Sequence, residues 1–74
     1  MTIAEKHTIL RKYLMRNKSE VADGLRYLRT PNRIYYKSYR ALIKGIRNLD
    51  LYSRKTPASA FILTINKIAK EEGL

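Results

Sequence analysis

The clearest chemical pattern in this sequence is a row of basic residues that recur every three or four positions. The row consists of Arg33, Lys37, Arg40, Lys44 and Arg47. Because an α-helix turns once every 3.6 residues, this spacing places all of these side chains along one helix face. Guanidinium and ammonium groups bind phosphates, and at about 1.5 Å per residue the row extends over about 21 Å. The pattern predicts a rigid cationic edge that suits a polyanion.

A second row on the same segment is apolar and predicts how that edge is positioned. It consists of Tyr35, Tyr39, Leu42, Ile46 and Leu49. The apolar row has the same spacing but is shifted by two residues, which is about 200° of helical rotation. We therefore expect a helix over residues 32–48 that buries its apolar row and turns its basic row toward solvent.

The net charge of the chain is concentrated in the same region. The 74 residues include 16 Lys and Arg and 6 Asp and Glu, for a net charge of +10 at pH 7. Residues 26–55 hold nine of the basic residues and a single acid, Asp50. Helices that are merely solvated usually interleave acids with bases, but no acid lies between Asp23 and Asp50. This distribution favours a polyanionic partner.

The candidate nucleic-acid-binding residues are the exposed side of this helix and its flanks. A helix of this kind fits a duplex groove, where its side chains meet phosphates and its leading residues reach base edges. Basic residues before and after the helix are expected to add contacts to the nucleic-acid backbone. The full set is Arg26, Arg29, Asn32, Arg33, Tyr36, Lys37, Arg40, Lys44, Arg47, Arg54 and Lys55.

Tyrosines interleave with the basic residues and leave RNA open as an alternative ligand. The chain has six Tyr and no Trp. Tyr35 and Tyr39 are expected in the core, whereas Tyr36 is the candidate contact residue. Exposed tyrosines beside arginines stack on unpaired bases, which is a common way of holding single strands.

Start and stop signals predict two helices before residue 30. Thr2 and Glu5 have the spacing of a capping box, and the first helix is expected to run to about Arg16. Ser19 is expected to cap a second helix that continues through Arg29. The apolar positions expected to face the core are Ile3, Leu10, Leu14, Val21, Leu25 and Leu28.

Two Thr-Pro pairs are expected to open the remaining helices. Thr30 and Thr56 would act as caps, with the proline that follows each in the first turn. The fourth helix is expected to end at Gly73, and residues 50–55 are expected to form a loop. The buried side of the fourth helix would consist of Phe61, Ile62, Ile65, Ile68 and Ala69.

These elements predict an all-α fold, a compact bundle of three to four short helices with residues 1–74 as a single domain. The second and third helices resemble a helix-turn-helix in outline, through Val21-Ala22, Leu25 and Ile34-Tyr35. Ile34 lies twelve positions after Ala22, later than the usual pattern places it, and the customary turn glycine is missing. The resemblance covers about a third of the chain and assigns no family.

The sequence offers no catalytic or metal-ligating constellation. It has no Cys, its one histidine is His7, its acids are scattered, and it has no glycine-rich phosphate loop. We expect no enzymatic activity, no cofactor and no bound metal. The longest apolar run, Ala60–Leu63, is too short for a signal peptide or a membrane span, so we expect a cytoplasmic protein without a membrane partner.

The resulting prediction is a small basic factor that binds nucleic acid, duplex DNA ahead of RNA, in a regulatory or accessory role. The main alternative is a small protein of the phage or plasmid type that binds and modulates an acidic surface of a host protein. The helix at 57–72 is rich in apolar residues, with Leu63 off the main row. We therefore also expect a homodimer formed through this helix.

Overall fold

The computed structural model describes residues 1–74 and contains four helices and no strand. The helices are α1 (Ile3–Arg16), α2 (Lys18–Arg26), α3 (Arg33–Asn48) and α4 (Ala58–Glu71). The radius of gyration is 11.6 Å, close to the value of about 11 Å for a folded chain of this length. The predicted all-α bundle is confirmed.

The boundary between α1 and α2 is set by Asn17. At the start of α1, the Glu5 amide donates to the Thr2 hydroxyl at 3.1 Å, as the capping-box spacing predicts. At its end, the Asn17 side-chain amide donates to the Tyr13 carbonyl at 2.9 Å. The prediction that Ser19 caps α2 is wrong, because α2 already begins at Lys18 and Ser19 lies inside it.

The starts of α3 and α4 lie later than the Thr-Pro pairs predict. Asn32 caps α3, and its side-chain oxygen accepts from the Ile34 amide at 3.2 Å. Pro57 itself is the last residue before α4, with φ −68° and ψ 149°, so Thr56 does not cap that helix. The predicted continuation of α2 to Arg29 is also wrong, because α2 ends at Arg26 and a turn follows.

A single apolar cluster occupies the space between the helices. All five residues predicted for the buried side of α4 belong to it. Ile3 and Leu28, which were also predicted to face the core, are exposed, because Ile3 is the first residue of α1 and Leu28 lies beyond the end of α2. The cluster consists of Leu10, Leu14, Val21, Leu25, Leu42, Ile46, Leu51, Phe61, Ile62, Ile65, Ile68 and Ala69.

The orientation of α3 depends on two close approaches by other helices. The most extensive packing is between α2 and α3, and a Cβ at Gly24 of α2 would lie 3.0 Å from the Ser38 carbonyl oxygen. On α3, the Tyr13 hydroxyl of α1 occupies the space that a Cβ at Gly45 would need. Both glycines therefore let neighbouring helices pack tightly against α3.

Ile34 is the point at which the structure departs from the helix-turn-helix resemblance. The resemblance places an apolar residue of the second member there, against the first member. Ile34 is 74% exposed and does not belong to the core cluster or to the residues packed against it. The contact between α2 and α3 is made further along α3, where Ser38 and Leu42 face Gly24.

None of the four helices combines the length and the hydropathy that crossing a membrane requires.

Candidate nucleic-acid interface

The basic row of α3 faces solvent along its whole length. Its five members are all exposed, whereas Leu42 and Ile46 on the opposite side of the helix are fully buried. The ion pairs in the structure are Arg11–Glu72 and Arg26–Asp23, so no carboxylate neutralises any member of the row. The predicted outward position of the row is confirmed.

Three surface depressions that share lining residues lie beside this row and together are here called the α3 groove. The central depression, of about 840 Å³, follows α3 from Tyr36 to Asn48 and reaches Ala58. A second one, of about 490 Å³, shares Tyr36 and Lys37 with it and extends back to Pro31. The third, of about 530 Å³, shares Asn48 and continues into the following loop. The basic residues lining the groove are Arg33, Lys37, Arg40, Lys44, Arg47 and Arg54.

A cluster of tyrosines forms one wall of the groove near the start of α3. The Tyr27 ring centroid lies 5.3 Å from that of Tyr36 and 5.0 Å from that of Tyr39. The Arg40 guanidinium lies over the Tyr36 ring, 5.9 Å from its centroid. Tyr27 was not among the predicted site residues, because it lies in the turn after α2, outside the helical repeat that identified the others.

Arg47 has a structural contact as well as a place in the groove. Its guanidinium donates to the Thr56 carbonyl oxygen at 3.2 Å and lies over the Phe61 ring, 5.2 Å from its centroid. The side chain therefore links the end of α3 to the start of α4. The side chain of Lys44, one turn earlier in the row, makes no hydrogen bond or ion pair.

The far end of the groove contains an acid and a tyrosine that sequence reasoning did not place there. Asp50 lines the third depression together with Arg47 and Arg54, where its carboxylate opposes the binding of an anion. Tyr52 lines the same depression, and burial raises the pKa of its phenol above the usual 10.0. Tyr52 is therefore neutral at pH 7 and adds no negative charge.

Three of the predicted site residues lie apart from the groove. Arg26 and Arg29 line a separate depression of about 210 Å³ that reaches Lys70 of α4. The Arg26 guanidinium is 3.9 Å from the Asp23 carboxylate, which offsets part of its charge. Lys55 is exposed in the loop before α4 and lines none of the four depressions. Asn32, by contrast, lines the groove at its starting end.

No group of three or more His, Cys, Asp or Glu side chains is arranged to hold a metal ion. No protein-family model, curated protein or solved structure matches the chain.

Proposed function

We propose that this chain binds duplex DNA through the α3 groove and acts as a small regulatory or accessory factor without catalytic activity. The observation that carries the proposal is the row of five exposed basic side chains on one helix face, none of them paired with a carboxylate. Uncompensated charge of one sign on a rigid edge attracts a polyanion and speeds its association. An intracellular location, cytoplasmic or associated with the nucleoid, is part of the proposal.

The length and stiffness of the row favour a duplex over a flexible polyanion. The α-carbons of Arg33 and Lys44 lie on one helix about 16 Å apart, at 1.5 Å per residue. The major groove of DNA is about 12 Å wide and admits a helix, which brings phosphates of both walls within reach of basic side chains. A straight row fixed by a buried opposite face matches such a regular array of phosphates.

The proposal is tested by titrating salt against DNA affinity. If the five members of the row meet five phosphates, the logarithm of the association constant should fall with the logarithm of salt concentration with a slope of about −4 to −5 per protomer. Replacing Lys37, Arg40 and Lys44 together by Gln should flatten this slope to about −2 and leave the helical circular dichroism unchanged.

A matched control removes the same net charge elsewhere. Lys12, Arg16 and Lys18 are exposed and lie outside the α3 groove. Their triple Gln variant should keep a slope near that of the unmodified protein. If both triple variants lose the same affinity, binding reflects net charge alone and the assignment to the α3 groove is wrong.

Two competitors separate the alternatives left by the sequence. A single-stranded RNA and an acidic protein of similar charge should each displace labelled duplex DNA at least tenfold less effectively than unlabelled duplex does. Stronger displacement by the acidic protein would favour a protein partner, and stronger displacement by RNA would favour an RNA-binding role. Either result would overturn the proposal.

The homodimer is a second part of the proposal, and one side chain supports it. The five apolar residues predicted for the buried side of α4 are all buried within a single chain, whereas Leu63 is 69% exposed. The dimer contact would therefore be centred on Leu63 of α4.

A further inference from the structure

We propose that Tyr36 receives an unpaired nucleobase, so that the preferred ligand is a DNA duplex flanked by a short single strand. This inference rests on the proposed binding of duplex DNA. It follows from the position of one aromatic ring at the junction of two depressions of the α3 groove.

Tyr36 differs from the other tyrosines of the chain in its exposure. It is 45% exposed, whereas the other five tyrosines are half-buried. Tyr36 lines both the central depression and the one that extends back to Pro31. A ligand that follows the groove across this junction meets the ring.

The ring of Tyr36 is held in place by its neighbours. Tyr27 contacts it with the ring planes at 54°, and Tyr27 in turn packs against Tyr39, which lies against the core. A tilted contact of this kind supports a ring without stacking on its face. Because the ring is already positioned, a base that stacks on it loses little affinity to ordering of the side chain.

Arg40 covers the Tyr36 ring only loosely. Its guanidinium lies 5.9 Å from the ring centroid, close to the outer limit of about 6 Å for a cation–π contact. A nucleobase can take this position, and Arg40 is then free to pair with a phosphate of the same strand. Lys37 and Arg33 line the adjoining depression and provide further partners for phosphates of that strand.

The other tyrosines that line the groove are half-buried and already in contact with other rings: Tyr27 and Tyr39 pack against each other with centroids 5.0 Å apart. Tyr52 at the far end stacks on Phe61 with centroids 5.0 Å apart, and the Lys6 ammonium lies over the Tyr52 ring at 5.5 Å. A strand held without pairing along its whole length needs several stacking side chains. One exposed ring beside a long basic row instead fits a duplex that ends, or is interrupted, at Tyr36.

The test compares three kinds of DNA ligand with the unmodified protein. They are a blunt duplex, the same duplex with a three-nucleotide 3′ or 5′ overhang, and that overhang with its first nucleotide made abasic. For each polarity, the intact and the abasic overhang carry the same number of phosphates, so only the base differs. For the preferred overhang polarity, we expect the intact overhang to bind about tenfold more tightly than the abasic one. A tenfold difference lies near the lower end of the affinity that one base gains by stacking on an aromatic side chain.

Variants then assign the effect to the ring. Tyr36→Leu should remove the tenfold preference, and Tyr36→Phe should keep it. Tyr35→Leu is the matched control, because Tyr35 lines none of the depressions of the groove, and it should keep the preference as well.

The outcomes separate this inference from the proposed function. Equal binding of intact and abasic overhangs of both polarities, with the expected salt slope on blunt duplex, would overturn the inference and leave duplex binding standing. A preference that survives Tyr36→Leu would overturn it too. If none of the three ligands binds with the expected salt slope, the proposed function itself is wrong.

Discussion

The carboxylate of Asp50 repels the proposed DNA ligand. Its backbone conformation allows a substitution that tests the effect of this charge on affinity. Its φ is 57°, in the left-handed region that Asn and Asp adopt more readily than other non-glycine residues. Asp50→Asn therefore removes the charge without disturbing the turn. We expect DNA affinity to rise about two- to fivefold at low salt, the effect of one exposed charge, as measured by fluorescence anisotropy.

Asp23→Asn provides the comparison for this prediction. Asp23 also carries one negative charge, but it faces Arg26 on α2 and lines none of the depressions of the α3 groove. Its replacement should change affinity less than Asp50→Asn does. Equal gains from the two variants would show that affinity responds to net charge and not to the third depression.

Residues of the site could be predicted from the sequence where their position depends on helical periodicity alone. The exposed row of α3 follows from a repeat of 3.6 residues, and the structure has it. The predicted apolar row is only partly confirmed: Leu42 and Ile46 are buried, and Tyr39 and Leu49 pack against the edge of the core. The expectation that Tyr35 lies in the core is wrong, because it is half-buried and outside the core cluster.

The contact between Arg47 and the Thr56 carbonyl depends on the path of the loop between α3 and α4. No local pattern encodes that path, and the same is true of the position of Asp50.

The close packing of α1 against α3 predicts that a side chain at position 45 destabilises the fold. The Tyr13 hydroxyl occupies the space a side chain at position 45 would need. Gly45→Ala gains up to about 1 kcal/mol of helix propensity, but forcing Tyr13 aside should cost more, for a net loss of about 1–2 kcal/mol in the free energy of unfolding. Urea denaturation followed by circular dichroism measures it.

The double variant Gly45→Ala with Tyr13→Phe shows whether this contact is responsible. Removing the hydroxyl relieves the closest contact but leaves the ring carbon that carried it 2.6 Å from the added Cβ, so part of the loss should be recovered. If the Gly45→Ala variant alone is as stable as the unmodified protein, the packing described for α1 and α3 is wrong.

Helices were easier to predict than their starts. Four apolar repeats indicate four helices, but the chain offers Thr30, Pro31 and Asn32 in succession as candidates for the start of α3. Asparagine caps at least as well as threonine, and the structure uses the later residue. Neighbouring signals of similar strength leave such a boundary undetermined until the packing of α2 against α3 selects one.

The molecule as a whole separates its charge from most of its apolar surface. The packing of α2 on α3 holds the basic row outward, and α4 supplies five of the twelve core residues. Residues 56–74 carry Lys67, Lys70, Glu71 and Glu72 and are neutral in sum. A second copy that docks on α4 therefore meets a segment without net charge.

The response of the sedimenting mass to salt tests the proposed homodimer. Two chains of charge +10 repel each other, so added salt should strengthen a dimer held by α4 while it weakens the binding of DNA. At tens of micromolar protein we expect sedimentation equilibrium to give about twice the chain mass of 8.7 kDa. Leu63→Gln should shift the equilibrium toward the monomer.

Leu28→Gln is the matched control for the dimer, because Leu28 is also exposed, at 41%, but lies in the turn after α2. It should leave the mass unchanged. Sedimentation as a single chain at every salt concentration would remove the dimer from the proposal. A single chain would then bind each DNA site. The salt slope per site would be that of one basic row, because no second row would add phosphate contacts.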